Sequence, residues 1–190
     1  MSNIQILNKE TLSDKKYPLK YITFEKPDAN GVFRNIEKEV YFRPDAVAVL
    51  LVDEERKMLL FAKQFRLPAF LNHSESGYLT EACAGIIDDN ETPEATAHRE
   101  VEEELGYGIT NLKRVAGAYS SSGGLTEFIY YFIGNYTPSQ KKGDGGGLEE
   151  EGENIEPVEM TFNEARQKLK QGAFIDAKTI ILLHYFFAER

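Results

Sequence analysis

Between Gly85 and Gly106 the chain sets Glu91, Glu100, Glu103 and Glu104 around one arginine, Arg99. Residues three and four apart share a helix face, so Glu100, Glu103 and Glu104 come together if this segment is helical. Like charges at those spacings each cost roughly 0.2–0.5 kcal/mol in an isolated helix. A solvated face ordinarily mixes signs, and here Arg99, four residues before Glu103, supplies the local relief. Carboxylates gathered in this way suit a hard divalent cation held by oxygen ligands, and such a cation suits chemistry on a phosphate. His98 lies on the same segment and reads as a solvated surface residue.

The segment carries its own helix boundaries. Thr92 fits an N-cap, and Pro93 follows at the first helical position, where a missing N–H costs nothing. Glu94 falls in the first turn, which the helix dipole makes favourable for an anion. Gly106 fits the terminator, since glycine reaches positive φ without a Cβ penalty. Ala97, Val101 and Leu105 form a second stripe, apolar, that faces a core.

A second acidic element follows at 143–154, GDGGGLEEEGEN. Its composition alone suits a linker. Its place between a strand and a capped helix instead suits a loop that brings carboxylates over a metal site, with Glu149, Glu150, Glu151 and Glu153 as candidates.

These elements need a scaffold. LKYITFEKP (19–27) and EKEVYF (37–42) alternate like strands around the turn-rich DANG, which predicts a small N-terminal β-hairpin region before Pro44. Beyond it, 46–53 and 57–65 read as strands joined by a charged turn, and 78–84 leads into Gly85. Residues 112–119 and 128–136 are further strands, rich in aromatic and β-branched side chains. Thr161 with Glu164 makes a capping box opening a helix to about Gln171, and a last helix covers about Ala177 to Phe187. Strands interleaved with few helices indicate a mixed α/β sandwich.

The 190 residues suit one domain with a small appendage. A net charge of −9 argues against a general binder of nucleic acid or of anionic membranes. It leaves room for a small phosphate-bearing substrate whose charge metal ions neutralise. Cys83 is the one cysteine, so no intramolecular disulfide forms and a reducing compartment is the simplest setting. The first residues hold no apolar signal core and no run of 18 apolar residues occurs, so a cytoplasmic protein is expected.

The spacing from Gly85 is Gly, five residues, Glu, seven residues, Arg-Glu, two residues, Glu-Glu, one residue, Gly. Seven fixed positions at about 7% usage each arise by chance in on the order of one such chain in a million. The pattern resembles the signature of the Nudix hydrolases; Tyr107 stands where that family usually has an aliphatic residue. KQFR (63–66), EACAG (81–85), SGGLTEF (122–128), GGGLEEE (145–151) and DAKT (176–179) extend the resemblance to the nucleoside-diphosphate-sugar branch, most of all its GDP-mannose members.

The resemblance implies a Nudix-type α/β/α sandwich over 44–190 and a strand region over 1–43 used in a homodimer. It implies two or more Mg²⁺ ions per site, with Mn²⁺ as an alternative. Glu100, Glu104, Glu151 and the Ala84 carbonyl are implied as metal ligands, and Glu151, Glu103 and Arg99 as the catalytic set, with Glu151 ahead of Glu153. Gly85, Glu91 and Gly106 shape the motif. Tyr17, Lys38, Glu39, Arg66, Glu127 and Lys178 are implied as substrate contacts, some of them borrowed from a partner subunit. The implied reaction is hydrolysis of a nucleoside diphosphate sugar, GDP-mannose before ADP-ribose. A catalytically silent binding module on the same fold is a third reading, opposed by the intact carboxylates. Ser122 replaces a proline usual in both substrate branches.

Overall fold

The computed structural model describes residues 3–72, 75–148, 152–188 and 190. They gather into two compact units, one of residues up to 45 with 118–129 and one of 46–117 with 130–190.

The first unit is built on an antiparallel sheet of β1 (Gln5–Ser13), β2 (Leu19–Pro27) and β3 (Phe33–Tyr41), in that order. The expected hairpin is β2–β3, paired from Leu19↔Tyr41 to Pro27↔Phe33. Its turn is closed by Asp28, whose Oδ1 accepts from the amides of Asn30 (2.9 Å) and Val32 (3.0 Å), with Gly31 at φ +80°. Strand β1 adds to the hairpin and was not foreseen. Its residues are almost all exposed, so there is no buried alternation to read in the sequence. Within the same unit the 118–129 segment meets β3 where Tyr41 donates to the Gly124 carbonyl and accepts from Thr126.

The second unit holds β4 (Ala46–Asp53), β5 (Met58–Phe65), α1 (Leu67–Leu71), β6 (Tyr78–Glu81), β7 (Cys83–Ile86), α2 (Pro93–Leu105), most of β8 (Asn111–Tyr119) and of β9 (Phe128–Asn135), β10 (Glu156–Thr161), α3 (Phe162–Lys170) and α4 (Ala177–Ala188). The sheet order is β10-β5-β4-β9-β8, with β6 on β5 and β7 on β4. Every residue of β4 is buried, which explains its unbroken apolar run: helices cover both faces. Val47, Val49 and Leu51 share a core with Ala97, Val101 and Leu105 of α2. On the other side α4 packs against β4 with Leu182 and Leu183 fully buried, and Phe61 stacks on Phe174 at 5.4 Å. This is the α/β/α sandwich expected.

One expected strand, 78–84, is two. β6 pairs with the end of β5 and β7 with the start of β4, so the pair fills the gap where those neighbours splay apart. The break falls at Ala82, whose amide donates to Thr179 Oγ1 (2.8 Å) instead of to a strand. The short helix α1 and the edge strand β10 carry no strong sequence pattern and were also unforeseen.

Candidate active site

Helix α2 runs from Pro93 to Leu105 between the caps read from the sequence. Thr92 Oγ1 accepts from Ala95 N at 3.2 Å, and Gly106 takes the left-handed conformation at φ +77°. On its polar face Arg99 is a hub. Its Nη1 donates to Glu100 Oε1 (2.8 Å) and Glu103 Oε2 (2.9 Å), its Nη2 to Glu91 Oε2 (3.1 Å) and the Ile86 carbonyl (3.3 Å). Glu91 also accepts from Thr96 Oγ1 at 2.7 Å, tying the loop before α2 to the helix. Arg99 thus orients three carboxylates at once, and Glu91 fixes the loop-to-helix geometry.

Glu100 and Glu104 point inward. Glu104 is 2% exposed, and its Oε2 accepts from the Ala84 amide at 3.2 Å. The Cys83 thiol donates to the same carboxyl. Burial, with the neighbouring charges of Glu100 and Glu153 adding to it, pushes the Glu104 carboxyl up to about 8. Burial likewise pushes Glu100 up to about 7, against the pull of Arg99 and with the push of Glu103 and Glu153. Gly85 has a steric reason to be glycine: a Cβ there would overlap the Glu100 carboxyl.

The glycine-rich loop is docked on the end of α2. The amides of Gly146 and Gly147 donate to the Glu104 (3.0 Å) and Glu103 (3.1 Å) carbonyls, and Lys142 N donates to the Gly106 carbonyl (2.8 Å). These bonds satisfy carbonyls that a helix end leaves open. Gly145, Gly146 and Gly147 all have positive φ, so the glycines serve a specific backbone path rather than looseness. Glu153 Oε2 accepts from Leu148 N at 3.0 Å, which holds its carboxylate where its charge acts on both Glu100 and Glu104. Glu149, Glu150 and Glu151 lie outside the described residues.

The chemistry of this donor set fits a divalent cation. The half-buried Glu100, the buried Glu104, a nearby third acid and the backbone at Ala84 offer hard oxygen donors, and a cation would relieve the crowding of their charges. Among the described residues, no three acidic, histidine or cysteine side chains converge as a ready-made cage. A bound ion would therefore draw on Glu100 and Glu104 together with backbone oxygen, water or substrate oxygens, as Mg²⁺ commonly does.

Elsewhere in the same unit Arg66 Nε donates to Glu81 Oε2 at 2.8 Å, and Lys178 Nζ stands 2.6 Å from Asp176 Oδ1 and 3.9 Å from Glu81 Oε1. An open groove is lined by Lys63, Ser76, Tyr78, Asn154 and Glu156. Glu81 and Glu153 were not singled out as first choices by sequence reasoning. Glu81 shows only as one acid in an ordinary strand, and Glu153 stands second to Glu151.

The remaining sequence-derived contacts lie in the first unit. Tyr17 meets Tyr41 edge-on at 6.2 Å, and the Arg43 guanidinium lies 5.4 Å over the Tyr17 ring. Arg43 pairs with the buried Glu127 at 3.2 Å, and Thr126 Oγ1 accepts from Arg43 N and donates to Arg43 O. Lys38 and Glu39 are exposed on β3, and as successive strand residues they point to opposite faces.

A NUDIX-domain family model matches residues 42–183. The GDP-mannose pyrophosphatase of Cronobacter sakazakii is 38% identical over 183 residues, covering 96% of this chain and 94% of its own length. That of Citrobacter koseri is 37% identical over 186 residues, with 98% and 96% covered. Among solved structures, an ADP compounds hydrolase superposes with a TM-score of 0.72 over 100% of this chain and 95% of that one, at 21% identity, a likeness of fold. Among the described residues no helix is long and apolar enough to cross a membrane.

Proposed function

Because the chain belongs to the Nudix hydrolase family, we propose that it is a Mg²⁺-dependent pyrophosphohydrolase of nucleoside diphosphate sugars, with GDP-mannose as its substrate. The observation that carries this reading is the buried Glu104 beside the half-buried Glu100, beneath a loop that presents Glu153. Relatives named GDP-mannose pyrophosphatase, alike over nearly their full length, support the choice of sugar nucleotide.

Glu100, Glu104 and the Ala84 carbonyl would hold the metal. Bound Mg²⁺ would neutralise the diphosphate and favour in-line attack by water on phosphorus. Arg99 keeps Glu100 and Glu103 aimed at the site, so the donor set exists before substrate arrives. Glu153, whose charge acts on Glu100 and Glu104, would accept the proton of the attacking water; Glu151, proposed from the sequence for that role, is its competitor. Arg66 and Lys178 would meet the diphosphate; Tyr17, Lys38, Glu39 and Glu127 stay as the substrate contacts that the resemblance implies, some of them supplied by a partner subunit. Water adds across the P–O–P bridge, giving a nucleoside monophosphate and a sugar 1-phosphate.

A homodimer through the first unit is part of the same proposal. Ile6, Leu7, Leu12 and Phe33 of its sheet are about half exposed, a surface that a second copy would cover. Light scattering on the purified protein would give twice the chain mass. A lone buried Cys83 suits a reducing cytoplasm.

The test is hydrolysis of GDP-mannose and ADP-ribose, with Mg²⁺ and with chelator. GDP-mannose should turn over faster, chelator should abolish turnover, and Glu104→Gln should lower kcat by about 10²-fold or more. Metal-independent turnover, or an active Glu104→Gln, would sink the enzymatic reading. Faster cleavage of ADP-ribose would move the protein to another substrate branch while leaving the chemistry in place. Comparing Glu153→Gln with Glu151→Gln decides which acid serves water.

A further inference from the structure

Glu81 closes β6 at 2% exposure, and two cations meet it from different parts of the chain. Its Oε2 accepts from Arg66 Nε at 2.8 Å, while its Oε1 stands 3.9 Å from Lys178 Nζ. Asp176 holds Lys178 from the other side at 2.6 Å. Asp176 Oδ2 also accepts from Thr179 N (2.9 Å) and Oγ1 (2.7 Å), and Thr179 Oγ1 accepts from the Ala82 amide. The end of β5, the β6–β7 break and the start of α4 are thereby locked to one another at Glu81.

We propose that Glu81 is a positioning residue that sets Arg66 and Lys178 as a two-cation clamp for the substrate diphosphate. This inference rests on the reading of Arg66 and Lys178 as substrate contacts. Three features carry it. Glu81 hydrogen-bonds Arg66 through Oε2 and keeps Oε1 within ion-pair range of Lys178 at 3.9 Å, so one carboxylate orients the first cation and attracts the second. Glu81 is too buried to touch a ligand, whereas the side chains of Arg66 (37% exposed) and Lys178 (20%) keep a solvent-facing part. The bond to Arg66 is made by Nε, so it does not itself engage the terminal Nη nitrogens. Arg and Lys carry much rotamer freedom, and a contact made in advance removes that ordering cost from the binding step.

The sign of the effect separates positioning from simple electrostatics. Removing a negative charge beside two cations would, by Coulomb's law alone, strengthen binding of an anion. Loss of a clamp weakens it. With GDP-mannose at saturating Mg²⁺, Glu81→Gln should raise KM by about 10-fold and change kcat by less than about 3-fold, because the lost interaction forms before chemistry. Arg66→Gln should do the same, and the double variant should be no more than about 2-fold worse than the poorer single, as for residues acting through one contact. Glu81→Asp keeps the charge but withdraws it by one methylene, so it should stay defective; it also carries the test if Glu81→Gln does not fold by circular dichroism.

An unchanged or lowered KM in both Glu81 variants, or fully multiplicative effects in the double variant, would overturn the clamp. If Arg66→Gln itself leaves KM unaltered, the reading of Arg66 as a substrate contact falls and the clamp falls with it. If Arg66→Gln raises KM while the Glu81 variants do not, the clamp alone falls.

Discussion

The amide of Gly147 donates to the carbonyl of Glu103 at 3.1 Å, binding the glycine-rich loop to the last turn of the acidic helix. Two acidic segments some forty residues apart in sequence are thereby joined. The contact uses backbone on both sides, so it depends on the loop's conformation more than on its side chains.

Gly147 sits at φ +75°, and a Cβ there would meet the Glu153 side chain and Ile155. Gly147→Ala should therefore displace Glu153 and strain the loop by roughly 1–2 kcal/mol. The expected result is a fall in kcat at saturating Mg²⁺ with a small loss in thermal midpoint. Full turnover in this variant would show that the loop's path is irrelevant to the reaction.

Arg99 holds Glu91, Glu100 and Glu103 together. Arg99→Gln leaves those carboxylates to repel one another and loses their orientation. Partners behind metal ligands typically contribute 10–100-fold to affinity or activity, so a loss of about that size is expected in the Mg²⁺ concentration giving half-maximal rate or in kcat. A Mg²⁺ titration of activity measures it; a curve that overlays the parent's would refute the hub role.

The turn after β4 predicts acid sensitivity. Glu159 is held low chiefly by its bonds to Arg56. Burial would raise Asp53, but the Arg56 amide, the Arg56 guanidinium and the Glu55 amide outweigh it and keep it low as well. Depressed carboxylates lend stability above their unfolded values, about 4, and that contribution is lost as pH falls further through the folded values. Thermal midpoints should drop below about pH 4. In Arg56→Gln the midpoint at neutral pH should fall and the drop below that pH should shrink. An unchanged acid profile would exclude the network as its source.

Tyr107 meets Tyr136 edge-on at 5.1 Å, and the Tyr136 hydroxyl donates to Glu159 at 2.7 Å. Tyr107→Leu, which restores the aliphatic residue usual in the family pattern, should cost roughly 0.5–1.5 kcal/mol of stability through the lost ring pair. Turnover should be unchanged. A large loss of kcat would place this ring in the chemistry instead of under the loop.

The acidic helix was legible in the sequence down to its caps, because capping, helical periodicity and motif spacing are local properties fixed within a few residues of each other. The buried strand β4 and the helices α3 and α4 were legible for the same reason. The sequence alone also determined the oxygen-rich character of the site, since residue type sets ligand chemistry. It could not show that the amide of Leu148 holds the Glu153 carboxylate, nor that Glu81 stands between Arg66 and Lys178. Strand β1 left no imprint because almost nothing in it is buried, and the β6–β7 break depends on a hydroxyl, Thr179 Oγ1, far along the chain. Those features arise from backbone hydrogen bonds and charge pairs between distant segments. Only tertiary structure decided them, because a contact across many residues leaves no spacing for a sequence to display.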